Sequence, residues 1–149
     1  MCVVMNKAKY YKFMFIITGI WNIITAVIFG LLAPIVNGFL PFFGLVNDPK
    51  IYLWMYSFLM LVAFTGFKYI LVGLDFTKNH LVISTGIMIK ISFALILLVF
   101  FILGQIQWTL FIVGIIDLIF AALFVEFYIN YKKLESSEIA SAYSYKQNM

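Results

Sequence analysis

The sequence predicts an all-α polytopic membrane protein, an antiparallel bundle of four transmembrane helices. Two observations carry that expectation. Of 149 residues, 65% are hydrophobic and only 11% charged, with a mean hydropathy of +1.09. A soluble domain is nearer ~45–50% apolar and ~25% charged, because polar side chains must cover its core. Four stretches, 11–32, 51–74, 81–103 and 107–130, each supply the ~20 mainly apolar residues a helix needs to cross a bilayer. Lipid is therefore the expected solvent for most of residues 1–132, and 133–149 form a polar cytoplasmic tail, a solvated helix or a disordered segment.

Ahead of the first span lies Cys2, the one cysteine. It permits no intramolecular disulfide, and no Cys/His spacing suggests zinc. No lipobox-like run precedes it, and the first apolar stretch is too long for a signal peptide and has no small-x-small cleavage site. Met5 is an alternative start. Within span one, Thr18, Asn22 and Thr25 fall at i, i+4 and i+7 and form one polar stripe. Trp21 beside them reads as packing. The segment 33–50, APIVNGFLPFFGLVNDPK, holds all three prolines, Pro34, Pro41 and Pro49, so the spans are expected to run unbroken. Its Phe39, Leu40, Phe42 and Phe43 favour a short helix or turn lying in the outer interface, with a lid over a cavity as the sharper alternative.

Span two carries Thr65 near its middle and Lys68 one turn nearer the cytoplasm. Asp75 and Glu126 are the candidate counter-charges for Lys68, which can instead snorkel to the interface. The short loop DFTKNH leads to His80, read as a surface imidazole. Spans three and four form a hairpin with Gly104 near its tip. Lys7, Lys9, Lys12, Lys78, Lys132, Lys133 and Lys146 fall on one side of this layout and only Lys50 on the other, so both termini are expected in the cytoplasm. Tyr10, Tyr11, Tyr128 and Tyr131 on the inner side, and Tyr52, Trp54 and Trp108 on the outer, suit interfacial belts.

The segment Ser84 to Phe100, STGIMIKISFALILLVF, sets an ammonium in an apolar run. Lys90 lies about ten residues into span three, ~15 Å deep and near the bilayer midplane. Asp117, in GIIDLIFAALF, lies about as deep in span four, and an antiparallel hairpin places the two at one level. Gly86 and Ala94 flank Lys90, and Gly114 and Ala121 flank Asp117; small residues let helices approach closely in lipid. A lone charge at that depth costs ~3 kcal/mol on insertion scales, so a buried Lys90–Asp117 ion pair is predicted. With Asn22, Thr65 and Lys68 it makes a candidate intramembrane polar site. The pair reads equally well as a functional centre or as a device that fixes helix register.

No phosphate loop, Cys-x-x-Cys pair, Ser/His/Asp arrangement or two-histidine haem ligation is present in the sequence, so no catalytic, cofactor or metal residues are nominated. The net charge of +4 comes from membrane-flanking lysines rather than a nucleic-acid patch. The expected partners are the lipid bilayer and a homo-oligomer or larger membrane complex.

The stretch Gly66 to Lys90, GFKYILVGLDFTKNHLVISTGIMIK, resembles a pattern in small four-helix membrane proteins of bacteria and archaea. In those, a Gly-x-x-Tyr turn leads through an Asp-Pro-x-x-Asn-Arg loop to a helix with Gly and Lys one turn apart. Gly66, Tyr69, Asp75, Asn79, Gly86 and Lys90 match; Phe76 stands for the proline and His80 for the arginine. The span layout is also similar to the DoxX-like group, some of whose members accompany quinone-linked oxidoreductases. Three functions are compatible with these features. The first is a non-enzymatic membrane component or complex subunit. The second is an ion- or proton-coupled transporter or channel subunit using Lys90 and Asp117. The third is a quinone- or lipid-binding subunit of a membrane oxidoreductase.

Overall fold

Each apolar stretch forms a helix in the computed structural model, which describes residues 2–46, 48–75 and 80–147, with side chains over 7–46, 48, 52–75 and 81–130. Lys78, Phe76 and Asn79 lie outside the described residues, as do the side chains of Cys2, Lys50, His80, Tyr131, Lys132, Lys133 and Lys146. The elements are α1 (Cys2–Ile35), a short α2 (Phe39–Phe42), α3 (Pro49–Leu74), α4 (His80–Ile102) and α5 (Trp108–Gln147). No strand occurs among the described residues. Four segments are long and apolar enough to cross a membrane: Lys7–Ile35, Tyr52–Leu74, Leu81–Ile102 and Trp108–Asn130. The fold is all-α, as predicted. At 40 residues α5 is about 60 Å long, twice the ~30 Å hydrocarbon layer, and the tail continues it without a break to Gln147.

The prolines are not in a loop. Pro34 sits in the last turn of α1, Pro41 inside α2, and Pro49 opens α3, where a missing N–H costs nothing. Pro34 cannot donate to the carbonyl four residues back, that of Gly30. The Tyr56 hydroxyl donates to that oxygen instead, at 3.1 Å, and Tyr52 donates to the Ala33 carbonyl at 3.4 Å. The helix therefore absorbs a proline because α3 supplies the hydrogen bond it removes.

The long helices alternate in direction and form two tight hairpins, α1 with α3 and α4 with α5, which meet along looser α3–α4 and α1–α5 seams. Glycine sets the first hairpin. A Cβ on Gly19 would lie 2.5 Å from the Gly66 carbonyl oxygen, and one on Gly66 2.7 Å from that of Gly19. Seven residues further along α3, a Cβ on Gly73 would lie 2.9 Å from the Lys12 oxygen. Backbone thus rests on backbone, the approach that small residues make possible between helices. In the second hairpin Gly114 receives Leu97 and faces Ala94, and Phe101 stacks on Phe111 with centroids 4.7 Å apart.

The two ends of the bundle are closed differently. At the end carrying the termini, Tyr11 and Phe15 of α1, Tyr69 and Val72 of α3, Ile83 of α4 and Phe124 and Phe127 of α5 make a buried core. Its rings meet at 4.8–5.0 Å, mostly edge to face. Tyr11 is therefore no interfacial anchor: it is fully buried and donates to Glu126 Oε1 at 3.0 Å. At the other end α2 folds over the helix tips. Leu40 is buried, Phe39 and Phe43 pack on Phe29, and the chain turns at Gly44 with φ +78°. The Gln107 N–H donates to the Phe43 carbonyl at 3.1 Å and Thr109 Oγ1 to that of Phe42 at 2.7 Å, which ties this cap to the α4–α5 turn.

Candidate functional site

Between the aromatic core and the α2 cap lies a chamber of about 340 Å³, walled by all four long helices. Polar side chains reach it from all four helices, Asn22 and Thr25 from α1, Thr65 from α3, Lys90 from α4 and Asp117 from α5. Gly114 brings α5 against Ala94 and Leu97, one and two turns from Lys90, and at that separation Lys90 forms a salt bridge to Asp117 Oδ1. The lysine side chain is 3% exposed and the carboxylate 14%, so the carboxylate is the partner that reaches the chamber more openly. The rings of Phe120 and Tyr69 lie 5.4 and 5.8 Å from Nζ and complete a cation-stabilising cage.

The Gly19–Gly66 contact does the same for the other pair of helices. It draws α1 so close to α3 that the Asn22 Cβ lies 3.0 Å from where a Gly66 Cβ would be. Asn22 Nδ2 donates to Thr65 Oγ1 at 3.3 Å, and Thr65 in turn donates to the Val62 carbonyl at 2.8 Å. Asn22, Thr25, Thr65, Lys90 and Asp117 all line the chamber, and Trp21 joins them. Phe29, Phe58, Leu59, Val62, Phe93, Leu110 and Val113 supply apolar walls towards the cap. Of the lining residues, Phe58, Leu61 and Ile89 are well exposed, and they belong to α3 and α4. The chamber therefore opens sideways, through the looser α3–α4 seam, onto the apolar outer surface of the bundle.

Four of the five nominated residues, Asn22, Thr65, Lys90 and Asp117, meet at this chamber. Lys68 does not. It is exposed on α3, makes no ion pair among the described residues, and lines a separate recess. Glu126, one of its proposed partners, takes the Tyr11 hydroxyl, while Asn130 donates to the Glu126 carbonyl at 2.9 Å. Lys68 is a residue past the inward face of α3, and the helical turn carries it round to lipid. Thr18 shares the inward face of Asn22 but lies outside the chamber lining, where it is buried and back-bonded to the Met14 carbonyl at 2.9 Å. Gly86 faces α3 rather than α5. A Cβ there would lie 2.6 Å from the Tyr69 hydroxyl, so the glycine makes room for that phenol.

Tyr69 is the site residue that reasoning on charge missed. It is 2% exposed, forms the chamber floor and packs on Phe124. Its signals were its place in the Gly66-x-x-Tyr69 turn and its spacing of four from Thr65. No three His, Cys, Asp or Glu side chains gather among the described residues. The chemistry on offer is hydrogen bonding: an ammonium and a carboxamide as donors, a carboxylate and hydroxyls as acceptors, beside an oily space. Comparison with protein families, with curated proteins and with solved structures finds no match to this chain.

Proposed function

We propose that this chain is a small integral membrane protein, with both termini cytoplasmic, that binds a lipophilic ligand inside its helix bundle. It serves as a non-enzymatic component or subunit presenting that ligand to a partner. One observation carries the reading: an apolar chamber of ligand size, open sideways between α3 and α4, receives a few polar side chains, among them the paired Lys90 and Asp117. Sites for small organic ligands run ~300–1,000 Å³, mostly apolar with a few converging polar groups. A quinone- or lipid-like molecule matches that division, its oxygen at Asn22, Thr65, Lys90 and Asp117 and its hydrocarbon along Phe58, Val62 and Phe93. The likeness of Gly66 to Lys90 to small four-helix membrane proteins, and of the span layout to the DoxX-like group, accords with it. Ion transport fits less well, because the aromatic core of Tyr11, Phe15, Tyr69, Phe124 and Phe127 fills the path from the chamber to the terminal end.

The test is extraction. Organic extracts of the protein purified in mild detergent should contain a lipophilic carbonyl or hydroxyl compound that is depleted in Val62→Trp, which fills the chamber. Identical extracts from the two chains, both helical by circular dichroism, would remove the basis for a bound ligand. Reconstituted vesicles should show no ion movement. A thiol reagent that cannot cross the bilayer should label Cys2 only after permeabilisation.

A further inference from the structure

The recess that holds Lys68 adjoins the chamber and shares Thr65, Tyr69 and Ile89 with it. It measures about 220 Å³, lies between α3 and α4, and is lined by Lys68, Thr85, Tyr69, Gly86 and the apolar Leu81 and Val82. Three features of it call for a ligand. Lys68 carries a full charge on a surface otherwise built for lipid and has no ion pair among the described residues. The Tyr69 phenol is 2% exposed, and its hydroxyl rests against Gly86, a residue of the recess and not of the chamber. That hydroxyl has no hydrogen-bond partner among the described residues, and a buried polar group without one is costly. Thr85, already donating to the Leu81 carbonyl at 3.3 Å, keeps lone pairs and an exposed oxygen at the rim.

Depth adds a further constraint. α3 has 26 residues and is about 39 Å long, some 9 Å more than the ~30 Å hydrocarbon layer. Lys68 lies six residues, about 9 Å, from the helix end at Leu74. With its own stem extended towards water, its ammonium rises most of that way towards the headgroups. We propose that this recess binds an anionic phospholipid. Its phosphate accepts from Lys68, an ester carbonyl deeper in the same lipid accepts from the Tyr69 hydroxyl, and one acyl chain runs along Leu81, Val82 and Ile89 in the α3–α4 seam. A phosphate diester supplies what the recess lacks, a negatively charged acceptor, and its hydrocarbon covers the apolar wall. Lys68, on which the proposal turns, lines the recess and not the chamber.

Native mass spectrometry of the full chain, released from micelles containing phosphatidylglycerol or phosphatidylcholine, tests it. The wild type should retain phosphatidylglycerol in preference to phosphatidylcholine. Lys68→Gln should weaken that retention about tenfold, the scale of one lost charge-assisted contact, and Lys68→Arg should preserve it. Lys9→Gln, which removes an exposed lysine at the same end of the bundle, should change nothing, and excess inorganic phosphate should fail to displace the lipid. Equal retention of the two lipids would overturn the proposal. So would equal losses in Lys9→Gln and Lys68→Gln, or displacement by phosphate alone. Val62→Trp, which blocks only the chamber, should leave the lipid in place.

Discussion

Replacing Asp117 with Asn keeps the shape of the side chain and removes its charge, which leaves Lys90 buried without its counter-ion. The lysine is 3% exposed and cannot reach water without moving α4. Breaking a buried pair in this way costs ~3–5 kcal/mol. The rings of Phe120 and Tyr69 are present before and after, so they limit the total but do not replace the lost partner. The reverse change, Lys90→Met, strands a carboxylate that is 14% exposed and borders the chamber. It can recover solvation there, so its cost should be smaller, ~1–3 kcal/mol, that of an unsatisfied polar group. The double variant Lys90→Met with Asp117→Asn removes both charges and should recover much of the loss, because neither ion is left desolvated without a partner. Unfolding in mixed micelles titrated with dodecyl sulfate, followed by far-ultraviolet circular dichroism, measures all four chains. The single changes should couple by ~2 kcal/mol or more in the double-mutant cycle. Additive losses, or an Asp117→Asn protein as stable as the wild type, would show that the pair contributes nothing and would remove the ion pair on which the site rests.

Three further outcomes follow from the packing. Tyr56→Phe should destabilise by ~1–3 kcal/mol by orphaning the Gly30 carbonyl, and Pro34→Ala, which restores a main-chain donor to that oxygen, should abolish the effect in the same titration. Gly19→Ala places a methyl 2.5 Å from the Gly66 oxygen, so the α1–α3 hairpin must part; a loss of ~1–3 kcal/mol is expected, with weaker cross-linking between cysteines placed on the two helices. Gly44→Ala combines a left-handed φ with a Cβ 2.5 Å from the Gln107 nitrogen, so faster hydrogen exchange at the Gln107 amide should report a loosened cap while the four helices stay protected.

Much of the fold was legible before any coordinates. Composition and length announced four apolar helices, because a chain with so few charges has no means of covering a soluble core. Lys90 and Asp117 could be paired from their depth alone, since an antiparallel hairpin leaves little freedom once two charges must meet in oil. Other readings failed for a common reason. Tyr11 looked like an interfacial anchor, and Lys68 was left between an inward charge and a snorkelling one, because residue type gives depth but not helix face. In a soluble helix the polar side marks the outside; here core and lipid are equally oily, and nothing in the apolar pattern says which stripe of α3 or α4 faces a neighbour.

The clues that do mark faces are small and spaced by whole turns. Gly66 and Gly73 stand seven residues apart on α3, and the stripe they define packs on Gly19 and Lys12. The sequence by itself therefore determined the solvent, the number of spans and the depth of each charge, since these depend on hydropathy and the fixed rise of a helix. Tertiary structure alone decided which faces meet, that a chamber remains between them, and that Tyr69 divides it from the Lys68 recess. Those follow from the shapes left when backbones touch at glycine and rings fill only one end of the bundle.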